Sequence, residues 1–346
     1  MLSTAEITRN QHLSWINHTR GVVRTPLLEP ILEFAGIPHK TLDVPQEDCL
    51  PMPAHYRVPR EGKACEVAKH VSIALLNRRS IFLHGLPGTG KDAIFHAWSA
   101  VTRQPALVFQ IQPGTDIQSW FWQRGFDSQG THDEEGDLLR ALRDGYQANG
   151  QTLPYMILFS DFDRADRSQA ESLRLIMDSI AGRVKGPGGK TYPVFPGTLI
   201  VATANSAGAG DTRGRCISSN PLDASILDRF ERKFQSEPLA WEDEATVLSL
   251  KFPHLTEKYP QFITRMRDIT TSIRQVIDQN LVAAEFSHRA LCGWFGHAED
   301  ISRVRQETTD RLIQAGAVTY LASLPDPDSV LAIQRAIDPH IRTVGY

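Results

Sequence analysis

The sequence is short of the features that mark several large classes of protein. Its four cysteines, Cys49, Cys65, Cys216 and Cys292, are scattered and form no CxxC pair, which argues against a disulfide framework and against a zinc site. No apolar run approaches the ~18 residues that a membrane span needs. The first stretch, MLSTAEITRNQHLSW, has no long apolar core, so no signal peptide is expected. Positive charge is not in excess: 37 Lys and Arg stand against 40 Asp and Glu, a net charge of −3. An overall basic field for nucleic acid is therefore missing, although a local basic patch is compatible with this balance. Repeats and low-complexity segments are missing too. Isolated thiols suit a reducing compartment, and these absences together predict a soluble cytoplasmic protein that crosses no membrane.

What is present is an ordinary globular composition, 41% hydrophobic and 22% charged over 346 residues, enough for about two domains at roughly 150 residues each. Residues 1–55 read as a small N-terminal element with an amphipathic stretch, Leu27–Phe34. It is joined to the rest by CLPMPAHYRVP, where prolines disfavour helix. Residues 56–238 change texture. Ala64–Asn77 has helical spacing, and apolar runs follow at Ser80–His84, Pro105–Ile111, Tyr155–Ser160 and Gly197–Ala204. Continuous apolar runs between helical segments predict buried strands of a parallel sheet covered on both faces. Residues 239–346 carry no strand signal and read as a helical domain.

His84-Gly85-Leu86-Pro87-Gly88-Thr89-Gly90-Lys91-Asp92 fits the phosphate-loop pattern G-x-x-x-x-G-K, between a predicted strand and a predicted helix. The glycines let backbone N–H groups turn inward around phosphates, the helix aims its positive end at them, and Lys91 would reach the β- and γ-phosphates. Ile157–Ala165 (ILFSDFDRA) looks like a Walker B strand, where one acidic residue holds Mg²⁺ indirectly and its neighbour polarises the attacking water. Asn205 ends the fourth strand and fits the sensor-1 role of orienting that water. Leu227–Phe230 resembles an arginine-finger element, with Arg229 offered in trans to the transferring phosphate. Phe286–Leu291 matches the sensor-2 position, with Arg289 reaching back to the γ-phosphate.

In this order GLPGTGKD, ILFSDFDRA, ATANSAGAGD, ILDRF and SHRAL resemble the MoxR branch of AAA+ ATPases, nearest to the CobS-type ATPase subunit of cobaltochelatase. The most specific part is Ala202–Gly214, and Phe262–Phe295 resembles the CobS lid helices. The resemblance implies an α/β P-loop NTPase core of the AAA+ kind with a C-terminal helical lid, working as a hexameric ring with ATP and Mg²⁺ between subunits. Lys91 and Asn205 would act in cis and Arg229 from the neighbour. A partner with a von Willebrand-type metal-ion adhesion domain is also implied. Gly182–Pro196 would be the hairpin before sensor 1, made basic by Arg183, Lys185 and Lys190; it reads equally as a solvated hairpin. Gln110–Gly150, with Trp120-Phe121-Trp122, takes the place of the helix-2 insert, its aromatics more suited to core than to contact.

The departures from the pattern gather at the metal. Asp92 stands where the family has Ser or Thr, and Ser160-Asp161 where it has Asp-Glu. Asp92 and Ser160 read either as a compensating exchange of carboxylate and hydroxyl, leaving Asp92, Ser160 and Asp161 around Mg²⁺, or as decay of the metal side. Asp161 is one methylene shorter than the usual glutamate, and Asp163 is a second candidate to activate water. Three functions follow: a remodelling ATPase ring, chelatase-like or chaperone-like; a nucleotide-binding regulatory or scaffold ring with weak hydrolysis; and a nucleic-acid-linked machine. The last is disfavoured by the net charge and the lack of a recognisable DNA-binding module.

Overall fold

The computed structural model describes residues 28–341 except 128–129, 149, 209, 211–218, 280 and 283. Five parallel strands form the central sheet: β1 (Ile81–His84), β2 (Ala106–Gln110), β3 (Met156–Ser160), β4 (Leu199–Ala204) and β5 (Arg232–Gln235), in the order β5-β1-β4-β3-β2. The two central strands β3 and β4 are buried along their whole length, which is why they read as continuous apolar runs. Alternate side chains serve opposite faces. Phe82, Ile157, Phe159, Ile200 and Ala202 pack under α3 (Asp137–Asp144) and α4 (Ala170–Ile180), while Ile81, Leu83, Leu158 and Val201 pack under α1 (Gly62–Leu76) and α2 (Lys91–Thr102).

Three expectations need correction. Strand β2 is an edge strand, not a buried one: its exposure alternates and Val108 is 41% exposed. Strand β5, Arg-Lys-Phe-Gln, had no apolar signal because it is the other edge and largely exposed. The segment Leu28–Phe34 is not a separate element but one strand of a hairpin with Ile37–Thr41. Phe34 is buried in the same cluster as α1 and α2, edge-on to Trp98 at 5.5 Å. Leu27 and the residues before it lie outside the described residues.

Beyond β5 and the short α5 that precedes it (Ala224–Leu227), the described chain is helical: α6 (Trp241–Lys251), α7 (Pro253–Lys258), α8 (Pro260–Asp278), α9 (His288–Val304), α10 (Thr309–Leu321) and α11 (Pro327–Ile337). Their core gathers around Phe262, Trp294 and Phe295. Gly316 permits the closest approach, since a Cβ there would lie 2.0 Å from the Trp294 ring. Among the described residues no helix is long and apolar enough to cross a membrane.

Candidate functional site

The loop from β1 to α2 turns through left-handed backbone at Gly88 and Gly90, with φ of 78° and 80°. L side chains rarely adopt that region, so these positions suit glycine. Lys91, nearly buried, donates to the carbonyls of Gly85 (2.9 Å) and Leu86 (3.0 Å) and to Asn205 Oδ1 (3.0 Å). Asn205 Nδ2 in turn faces Asp161 Oδ1 at 3.4 Å. The phosphate-loop lysine, the strand-end amide of β4 and the acid after β3 are thereby joined in one polar bridge across the C-terminal ends of three adjacent strands. Ligands of open parallel sheets bind at that end.

Asp161 itself has φ +55°, a strained conformation worth about 1–3 kcal/mol outside glycine and often found at functional sites. Its other oxygen is 3.2 Å from the Gln110 amide and 3.7 Å from Arg164. Asp163, by contrast, is fully buried. Its carboxylate accepts the backbone N–H of Asn205 (3.1 Å to each oxygen) and of Ser206 (2.8 Å). It is a buried acid that holds the end of β4 in place. The His84 imidazole nearby is held below its ordinary value, first by burial and then by Lys91, with Asp163 opposing.

The metal side also differs from expectation. Asp92 Oδ1 accepts a 2.5 Å hydrogen bond from Thr203 on β4. Its hydroxyl partner is therefore Thr203, not Ser160, which is buried at the end of β3 without bonding Asp92. No group of three or more His, Cys, Asp or Glu is gathered to hold a metal among the described residues. Mg²⁺ at phosphates commonly takes one or two carboxylates plus phosphate and water oxygens. A single carboxylate beside the loop is compatible with an ion carried by a nucleotide, which Asp92 would hold from the protein side.

The side chains of Arg289 and Arg229 make no hydrogen bond or ion pair among the described residues. Arg289, exposed on the first turn of α9, lies over the cradle: its Cβ is 3.6 Å from where a Cβ on Gly88 would sit. Arg229 is exposed after α5. The basic hairpin Arg183–Lys185/Thr191–Pro193 forms as expected, with Val184 buried and Lys185 paired to Asp178 at 2.9 Å. In the Gln110–Gly150 segment Phe121 is core and Trp120 lies tilted against Phe109 at 5.0 Å. Of the Ala202–Gly214 motif, Ala209 and Asp211–Gly214 lie outside the described residues.

A cavity of about 310 Å³ opens beside the cradle. It is walled by the linker Pro53–Pro59, by Ala64 and Ala68 of α1, by the loop itself and by Ile277 and Phe286 of the helical region. This wall was not legible in the sequence, because proline-rich text reads only as linker. Residues 80–230 match the family model of the AAA domain (dynein-related subfamily). With the sheet order and the loop between β1 and α2, this makes the core an α/β P-loop NTPase of the AAA+ kind, and the family supports nucleotide binding in the cleft. No curated protein matches the chain. Among solved structures, one from Cytophaga hutchinsonii named a "putative ATPase" is 13% identical and covers 96% of this chain and 87% of its own, with a TM-score of 0.37. That is too loose a likeness to bear on the chemistry of the AAA domain.

Proposed function

We propose that the chain is an ATP hydrolase of the AAA+ kind, of MoxR/CobS type, that works as an oligomeric ring and remodels a partner complex. The observation that carries this is the Lys91–Asn205–Asp161 bridge. It brings Lys91, Asn205 and Asp161 together beside the cavity, which supports a reading of them as phosphate-reading cation, water-orienting amide and acid. In this reading the cavity takes the base and the cradle Gly85–Asp92 takes the phosphates. Asp161 and Asn205 position the attacking water, with Asp163 fixing Asn205, and Arg289 contributes from the helical lid. Mg²⁺, held through Asp92, would neutralise charge on the phosphates. Arg229, exposed and unpaired among the described residues, suits a neighbour's nucleotide and so requires a ring. The domain division at about residues 55 and 238 rests on the change of sequence texture there, and an adhesion-type partner on the family resemblance.

A regulatory or scaffold ring with weak hydrolysis is the second reading, favoured by the Asp92–Thr203 pairing and the short Asp161. The discriminating experiment is Mg²⁺-dependent ATP hydrolysis by the purified chain, with Lys91→Ala as control and assembly followed by light scattering with and without nucleotide. Lys91-dependent turnover in an assembled species supports the motor. Nucleotide binding with turnover no greater than the control supports the scaffold.

A further inference from the structure

On the lid side of the cavity, three helices meet at one buried acid that forms part of its wall. Glu244 on α6 has a side chain only 1% exposed. It receives two bonds from Arg274 of α8, each 3.0 Å, and one of 3.1 Å from His288 Nδ1 at the start of α9. Burying a carboxylate is costly unless it is paired, and here two cationic groups answer it. The second ring nitrogen of His288 faces Cys292 Sγ at 3.4 Å, one turn along α9. Lys251 of α6 also acts on the thiol. Cys292 is partly exposed, whereas Cys49 and Cys65 are buried.

This is a thiol–imidazole–carboxylate relay in a positive, solvent-reachable setting, the environment that makes a cysteine reactive. Burial disfavours the thiolate, but His288 and then Lys251 outweigh it and lower the Cys292 value. Burial of Cys49 instead pushes it up to about 11. The relay is also coupled to the cradle. Ser287, just before His288, is so close to the phosphate loop that a Cβ on Gly88 would stand 2.9 Å from its Cβ.

We propose that Cys292 is a redox-sensitive modification site whose state governs how the lid's Ser287–Arg289 turn seats on the phosphate cradle. Its effect on nucleotide rests on the ATP-binding reading above; its reactivity does not. The reactant class is a hydroperoxide. The thiolate sulfur attacks the terminal peroxide oxygen, the S–O bond forms as the O–O bond breaks, and the departing alkoxide or hydroxide takes a proton from the His288 imidazolium. Sulfur loses two electrons to become a sulfenic acid, and the peroxide is reduced to alcohol or water. Two equivalents of a small thiol restore it through a mixed disulfide. Once the thiolate charge is gone and His288 is neutral, Glu244 keeps only Arg274 as a cationic partner, and the first turn of α9 loses one of its anchors.

The test measures alkylation of each cysteine by iodoacetamide from pH 5.5 to 9.5, read by peptide mass spectrometry on the full chain. An ordinary thiol keeps about 1% of its plateau rate at pH 6.5, since its pKa is near 8.5. Cys292 is expected to keep at least ten times that fraction, and His288→Gln to return it to the ordinary profile. Normalising to the plateau removes differences in access, and the unsubstituted chain alone suffices if the variant does not fold. A Cys292 profile matching a free thiol overturns the proposal. In a second arm, affinity for a fluorescent ATP analogue is compared before and after hydrogen peroxide. It should weaken roughly fivefold or more, the lower end of ordinary coupling between sites, and Cys292→Ser should abolish the change. An altered profile with unchanged affinity overturns the coupling. Failure of the reduced chain to bind the analogue at all removes the ATP reading while leaving the reactivity result intact.

Discussion

On the phosphate side of the cleft the loop is shaped mainly from within, by glycines in left-handed turns and by Lys91 on the carbonyls of Gly85 and Leu86, with one reach outward to Asn205. On the acid side the contacts are mostly made between residues far apart in the sequence: Asp92 with Thr203, Asn205 with Asp161, Asp163 with the backbone of Asn205 and Ser206. The first side resists sequence change, because a backbone cradle depends on only a few glycines. The second can be rewired one residue at a time, which is how a carboxylate comes to stand after the phosphate-loop lysine.

That contrast can be broken in several ways. The largest effect is expected from outside both sides. Arg229→Ala should lower turnover by roughly 10³-fold while leaving nucleotide affinity unchanged, the usual scale for an arginine finger. Mixing it with Lys91→Ala should restore part of the activity, because intact sites can then form between unlike subunits; no recovery on mixing would argue against action in trans. Next is Asp163→Asn, which turns an N–H₂ toward the backbone donors of Asn205 and Ser206. Leaving buried donors unmatched costs about 1–3 kcal/mol, so thermal unfolding should fall, and turnover should fall more than nucleotide affinity. A normal melting curve would make Asp163 dispensable as a positioning residue.

Asp92→Ser sharpens the comparison from the other direction. A carboxylate at the cradle opposes phosphate by about 1 kcal/mol or more at contact distances, so the variant should bind ATP roughly five- to tenfold tighter in EDTA. The gain should shrink when Mg²⁺ is present. The double variant with Ser160→Asp tests the exchange directly: turnover no better than the worse single variant means the two positions are uncoupled, as the Thr203 partnership indicates. The smallest effect concerns pH. Burial lowers the His288 value, but Cys292 and Glu244 overcome it and raise it to about 9. A raised folded value means its stabilisation is complete below the free imidazole value of about 6.5 and is lost as pH climbs toward about 9. The melting difference between the unsubstituted chain and His288→Gln should therefore narrow across that window; a constant difference would show that the charge is not what stabilises the lid.

The parts legible in the sequence were those that depend on near neighbours. Gly85–Lys91 announces itself because one short loop supplies all its chemistry, and β3 and β4 because full burial leaves only apolar residues. Edge strands were misread for the converse reason: Val108 and Arg232–Gln235 face outward, so β2 looked too buried and β5 did not look like a strand. The Asp92–Thr203 pair joins residues 111 positions apart, and no local pattern encodes it. Asp163 resembled a spare catalytic acid because burial is not written in the identity of an aspartate.

The proline-rich segment along the cavity is fastened at both ends. Leu50 N–H is bonded to Ser99 of α2 at 2.9 Å, and the N–H groups of Arg60 and Glu61 to Asp243 of the lid at 2.8 and 3.1 Å. It is therefore a tether between the two bodies that enclose the cavity. Ten residues of extended chain reach about 35 Å at most, and prolines stiffen that reach further. Since Gly62 opens α1 directly after Glu61, the two bonds to Asp243 pin the start of the helical region to the entrance of a core helix, and any displacement of that region has to break them first.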